Sequence, residues 1–218
     1  MKILVTGAKG FIGKNLITEL KNRNFKDILE YDVDSSLKDL EFYTKECDFV
    51  YHLAGINRPK DQKEFFEGNF GFTSVLLSNL KKYNNRAPIT LASSIQAVMD
   101  NPYGISKKAG EDLLFAYGKE TGTKTLIYRF PNVFGKWCRP NYNSVVATFS
   151  YNIANNLPIT ISDPNVVMNL IYIDDLIKEL INALEGQENK IGDFCYVEPS
   201  YKVKLGEIAD LLYSFKAS

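Results

Sequence analysis

Short apolar runs alternate along this chain with stretches of helical spacing. Ile3, Leu4 and Val5 form a compact run rich in β-branched side chains, as expected of a buried strand. After a glycine-rich turn, Ile12, Leu16 and Leu20 fall on one helical face. Ile28–Tyr31 and Phe49–Leu53 read as the second and third strands, and Glu64–Lys82 as a mostly helical segment. Pro88–Ala92 and Lys124–Phe130 supply two more strands, with a helix from about Pro102 to Thr121 between them. Leu205, Ile208, Leu212 and Phe215 have helical spacing near the end. This alternation predicts an α/β fold with a doubly wound, mostly parallel sheet whose ligands gather at the carboxyl ends of the strands.

Composition narrows the choices. With 26 Lys+Arg against 26 Asp+Glu the formal charge is zero, which argues against a strongly basic nucleic-acid binder. No apolar run approaches a bilayer span, and the opening MKILVTGAKGF is interrupted too soon for a signal peptide. Cys47, Cys138 and Cys195 are odd in number and widely spaced, which suggests reduced thiols and a cytoplasmic setting. One histidine and scattered cysteines leave no expected metal site. The segment from Val133 to Pro164, richer in Asn, Pro and Tyr and less regular, reads as part of a substrate lobe.

The turn after the first strand is Thr6-Gly7-Ala8-Lys9-Gly10-Phe11-Ile12-Gly13, with glycines spaced G-x-x-G-x-x-G. Glycines between a strand and a helix let the backbone approach a pyrophosphate, which the helix N-terminus attracts. The expected ligand is a dinucleotide. Asp32, closing the second strand, suits ribose hydroxyls and repels a 2′-phosphate, which favours NAD(H). Lys9, inside the turn, offers a charge that attracts a 2′-phosphate. The two cues oppose each other.

Tyr103-Gly-Ile-Ser-Lys107 is a Y-x-x-x-K pair, a pattern common by chance, so its place carries the weight. It opens the helix after the fourth strand, where Asn101-Pro102 reads as an N-cap followed by proline. Four-residue spacing puts both side chains on one face, where a cation is expected to lower the phenol's pKa. Ser94, placed just beyond the fourth strand, is positioned to polarise a carbonyl.

Further segments carry a family resemblance: Tyr51-His-Leu-Ala-Gly55, Asn69-Phe-Gly-Phe-Thr73, Arg129-Phe-Pro-Asn132-Val-Phe-Gly135 and Tyr172-Ile-Asp174-Asp175. With the glycine turn and Ser94, Tyr103 and Lys107, they resemble the extended short-chain dehydrogenases/reductases, the epimerase/dehydratase group acting on nucleotide sugars. A narrower likeness is to capsular-polysaccharide enzymes of the CapF type. It rests on Ala8–Asn15, His52–Pro59, Ser93–Gln96 with Asp100–Gly104, Phe134–Cys138 and Arg139–Ser144.

The resemblance implies a Rossmann domain with a small C-terminal substrate lobe. It places the cofactor core in residues of about 1–130 and 166–187, and the lobe in about 131–165 and 188–218. The family's C-terminal cupin domain is expected to be absent. It implies Ser94, Tyr103 and Lys107 as catalytic residues. Gly7, Lys9, Gly10, Phe11, Ile12, Gly13, Asp32, Leu53, Ala54 and Gly55 would hold the cofactor together with Tyr103 and Lys107. Arg58, Asn132, Asn141, Tyr142 and Asn143 would contact the UDP-sugar. The implied activity is reduction of the C4 ketone of a UDP-2-acetamido-2,6-dideoxyhexulose, giving an L-talose-type product for a surface polysaccharide. NADP(H) is the cofactor by resemblance, and a homodimer the expected assembly. His52 is explained as a strand residue and not a catalyst. A nucleotide-sugar C4 epimerase or a non-catalytic dinucleotide sensor stand as alternatives.

Overall fold

The computed structural model describes residues 1–217. Strand β1 (Lys2–Thr6) leads through the glycine turn into α1 (Phe11–Asn22), then β2 (Asp27–Tyr31). Helix α2 (Leu37–Glu46) follows, started by a capping box in which Ser36 and Asp39 satisfy each other's backbone N–H groups. Only Leu40 and Thr44 of α2 are buried, which explains why its apolar pattern is faint in the sequence.

Next come β3 (Phe49–His52), α3 (Lys63–Phe66), α4 (Phe72–Lys82) and β4 (Ile89–Ser94). The helix expected over Glu64–Lys82 is interrupted by a π-helical turn at Glu67–Gly71, around the buried Asn69. Strand β4 runs two residues further than the apolar pattern suggested, so Ser94 is its last residue instead of lying beyond it.

Helix α5 (Pro102–Thr121) and β5 (Thr125–Phe130) match their expected spans closely. They are followed by β6 (Asn132–Phe134), α6 (Val145–Ala154), β7 (Val167–Tyr172) and α7 (Ile173–Leu184). The chain continues through β8 (Lys190–Ile191), β9 (Phe194–Cys195), β10 (Tyr201–Lys204) and α8 (Leu205–Ala217).

Seven strands form the main sheet in the order β2-β1-β3-β4-β5-β9-β8, parallel except for the short β8–β9 pair. One apolar cluster joins α1 and α7 to one face, through Leu16, Leu20, Leu176 and Leu180. A second joins α2, α4 and α5 to the other face, through Leu40, Leu76, Leu80 and Leu114. The chain crosses from β2 to β3 on the far side of β1, so the winding reverses between β1 and β3 and opens a crevice at their carboxyl ends.

A small sheet, β10-β7-β6, packs with α6 and α8 around Phe149, Ile153, Leu170 and Ile208. The sheets partition the chain differently from the sequence boundaries: β7 belongs to the small sheet, whereas residues 190–195 extend the large one. Among the described residues no helix is long and apolar enough to cross a membrane. The three cysteines are free.

Candidate active site

The glycine turn owes its shape to two glycines above all. Gly7 has φ +71°, and a Cβ there would sit 2.8 Å from the Ala54 nitrogen. A Cβ on Gly13 would meet the Gly7 carbonyl oxygen at 2.2 Å, so only glycine lets α1 start this close to β1. Gly10 is the N-cap, and no side chain caps the N–H groups behind it. A helix end with free donors, beside a backbone shaved of side chains, fits a pyrophosphate. Phe11 and Ile12 pack inward against the core beneath α1.

Leu53, Ala54 and Gly55 form the floor beside this turn. The Leu53 N–H donates to the Thr6 carbonyl at 3.2 Å, and the Ala54 N–H to the Thr6 hydroxyl at 3.3 Å. Gly55 reaches α5: a Cβ there would lie 2.9 Å from the Lys107 Nζ. The floor therefore runs unbroken from the turn to Lys107.

Asp32 binds the turn from the other side. One carboxylate oxygen accepts from the Lys9 N–H at 2.7 Å and the other from the Val33 N–H at 2.8 Å. The Lys9 ammonium pairs with Asp34.

His52 is buried in a hydrogen-bonded chain. Its Nδ1 and Nε2 lie 2.8 Å from the hydroxyls of Thr6 and Thr73 respectively. Because the Thr73 hydroxyl donates to the Asn69 carbonyl at 2.6 Å, Nε2 is the donor to Thr73 and Nδ1 accepts from Thr6. Burial and the nearby Lys107 cation push its pKa down to about 3, so the ring is neutral and acts as a brace. Asn69 continues the chain, donating to the Ser106 hydroxyl at 3.0 Å while its amide pairs with both backbone groups of Ile56.

Tyr103 stands in the first turn of α5, capped as expected by Asn101, whose side chain accepts from the Gly104 N–H at 2.8 Å. Phe65 tilts against the phenol ring at 5.5 Å between centroids. Lys107 lies over the same ring, its Nζ 5.9 Å from the centroid, and donates to the Ala92 carbonyl at 3.0 Å. Burial raises the phenol's pKa, while a hydrogen bond from Ser94 pulls it back. The lowering expected from the lysine is thus not the direction found, because the ammonium sits over the ring face and desolvation dominates. Burial instead brings Lys107 down to about 8, with Glu111 opposing the shift.

Glu111 is one helical turn beyond Lys107 and has no exposed side-chain surface. Its carboxylate accepts from Arg129 Nε at 2.9 Å and Nη2 at 2.6 Å, and from the Ser93 hydroxyl at 2.5 Å. The sequence reading missed this cluster. The signal available was the four-residue step from Lys107 to Glu111 on the same helix face.

The five residues expected to touch substrate come together. Arg58, Asn132, Asn141, Tyr142 and Asn143 line a cavity of about 540 Å³, with Ser144, Val145, Thr148 and Met168 completing the wall. Arg58 Nε donates to Asn143 Oδ1 at 2.8 Å, across 85 residues of sequence. The Arg58 and Arg139 guanidiniums lie 5.4 and 5.5 Å from the centre of the Tyr142 ring. Arg139 and the four added wall residues carried no motif that spacing alone identifies. No cluster of three potential metal ligands occurs among the described residues.

Comparison with known proteins puts this geometry in context. The model of the "NAD dependent epimerase/dehydratase family" matches residues 3–194. The UDP-2-acetamido-2,6-beta-L-arabino-hexul-4-ose reductase of Pseudomonas aeruginosa is 41% identical over all 218 residues. The crystal structure of the capsular polysaccharide assembling protein CapF from Staphylococcus aureus superposes with a TM-score of 0.91, at 47% identity over the whole chain. The chain spans 58% of that reductase and 59% of that CapF chain. The UDP-glucuronic acid 4-epimerase of Bacillus cereus, solved with NAD, shares the fold at a TM-score of 0.87 and 24% identity.

Proposed function

Because this chain belongs to the NAD dependent epimerase/dehydratase family, we propose that it reduces the C4 ketone of a UDP-2-acetamido-2,6-dideoxyhexulose. The product is an L-talose-type sugar for a surface polysaccharide, and the setting is the cytoplasm. The observation that carries this reading is the likeness to the P. aeruginosa reductase over the full chain. The bracing of Ser94, Tyr103 and Lys107 at the carboxyl edge of the sheet supports it.

A reduced nicotinamide supplies the hydride when bound; the rest falls to side chains of this chain. The glycine turn takes the pyrophosphate on backbone N–H groups, and Asp32 takes ribose hydroxyls. Tyr103, kept protonated by burial, gives its proton to the carbonyl oxygen. Ser94 and the Lys107 ammonium then stabilise the phenolate left behind. Glu111 favours the charged form of Lys107. Arg58 faces the cavity with donors suited to a diphosphate, and Asn132 and Asn141–Asn143 line the space for the nucleotide and sugar.

The test is a paired NADH and NADPH oxidation assay with the UDP-keto sugar. Tyr103→Phe is expected to fold and bind cofactor but lose about 10²–10⁴-fold in turnover. Near-normal rates in that variant would overturn the assignment of Tyr103. Tightly retained NAD with no consumption of added reductant would favour the C4 epimerase, which uses the same three side chains.

A further inference from the structure

We propose that Asp34 sets the cofactor preference by holding the Lys9 ammonium, so that the glycine turn offers a 2′-phosphate no free cation. The inference rests on the reading of that turn as a dinucleotide site. Lys9 is the cationic side chain within the glycine turn, and its Nζ is paired with Asp34.

The position of Asp34 is built by the turn that carries it. The Asp32 N–H donates to the Ser35 hydroxyl at 3.0 Å, and the Ser35 N–H returns to the Asp32 carbonyl at 2.9 Å. Ser36 then caps α2, anchoring the far end of the turn. The Lys9 N–H bond to Asp32, at 2.7 Å, fixes the lysine backbone against the same loop. Both partners are thus brought together by backbone-level contacts and not by chance encounter of two long side chains.

The sheet order makes the arrangement accessible. With β2 at the edge, no strand lies beyond the 32–36 loop to shield or replace it. The Lys9 ammonium faces the carboxylates of Asp34, Asp32 and Glu30, and Lys14 on α1 lines the same hollow from outside the turn. Asp32 is occupied with backbone N–H groups and ribose recognition, so Asp34 is the residue whose removal frees Lys9. A freed ammonium makes a charge-assisted contact with a 2′-phosphate and has little to offer a 2′-hydroxyl. The Lys9–Asp34 pair is exposed, with 61% of each side chain accessible, so the effect is modest.

The experiment is isothermal titration calorimetry of NADH and NADPH against the wild-type chain, Asp34→Asn, Lys9→Ala and the double variant at one ionic strength. Asp34→Asn is expected to tighten NADPH about fivefold and leave NADH within about twofold. In the Lys9→Ala background the same change should lose most of that gain. An unchanged NADPH-to-NADH ratio in Asp34→Asn would overturn the proposal. So would an equal gain without Lys9, which would mean simple removal of a repelling charge. If the wild-type chain binds neither dinucleotide, the reading of the turn itself fails; if it binds both and the ratio does not move, only the role of Asp34 fails.

Discussion

The two walls of the site are held in opposite ways. On the side proposed for the cofactor, Thr6, His52, Ser94 and Tyr103 sit at strand and helix ends, positioned by backbone ladders and a buried chain of hydrogen bonds. On the side proposed for the substrate, Arg58, Tyr142 and Asn143 are exposed and lie in irregular segments, joined by side-chain contacts across a long sequence separation. Groups that must deliver a proton to one atom gain from a rigid frame. Under the proposed function, the wall that receives a flexible nucleotide sugar gains from contacts that can open. Substitutions on the first side should therefore cost stability as well as rate, and on the second side mainly affinity.

The sharpest break of that contrast is at Glu111. Glu111→Ala strands the Arg129 guanidinium and the Ser93 hydroxyl beside the middle of α5. The expected loss is about 3–5 kcal/mol in chemical denaturation, nearer the lower figure because Arg129 keeps some contact with water. A loss below about 1 kcal/mol would show that the frame does not depend on this buried pair. On the opposite wall, Arg58→Ala should raise KM for the UDP-sugar about tenfold to a hundredfold, the worth of hydrogen bonds to a charged group. Its denaturation midpoint should stay close to wild type, since the side chain is exposed.

The pH profile gives the smallest and most graded test. Lys107 is held near 8, so the protonated form to which the proposed mechanism assigns support of proton transfer is lost as pH rises through that value. The rate of ketone reduction should be level below about pH 7 and fall up to tenfold per unit above 8. In Glu111→Gln the fall should begin at lower pH, because the carboxylate that favours the ammonium is gone. A profile unchanged by that substitution would separate Glu111 from the chemistry.

Much of the cofactor wall was legible because its signals are local. A glycine turn between strand and helix, an Asn-Pro helix start and a four-residue Tyr–Lys step each record a backbone requirement within a few residues. Ser94 was read as lying beyond the fourth strand, but it closes β4, since the apolar pattern ends two residues before the hydrogen-bonded strand does. Helix α7 is absent from the sequence reading although Leu176, Leu180 and Ile181 pack the core of the finished fold. The substrate residues were assembled by resemblance, and the cavity that unites them could not be read from spacing. The direction of the Tyr103 shift was missed for a related reason: sequence shows a cation four residues away but not the burial around the phenol.

The sequence by itself determined the alternation of strands and helices from β1 to β5, the glycine turn and the Asn101-Pro102 helix start, because those depend on near-neighbour geometry. Only the tertiary structure decided which charges meet: Lys9 with Asp34, Arg129 with Glu111, and Arg58 with Asn143. Electrostatic partners are chosen by distance in space and by the water removed around them, and neither quantity is written in the spacing of residues along a chain.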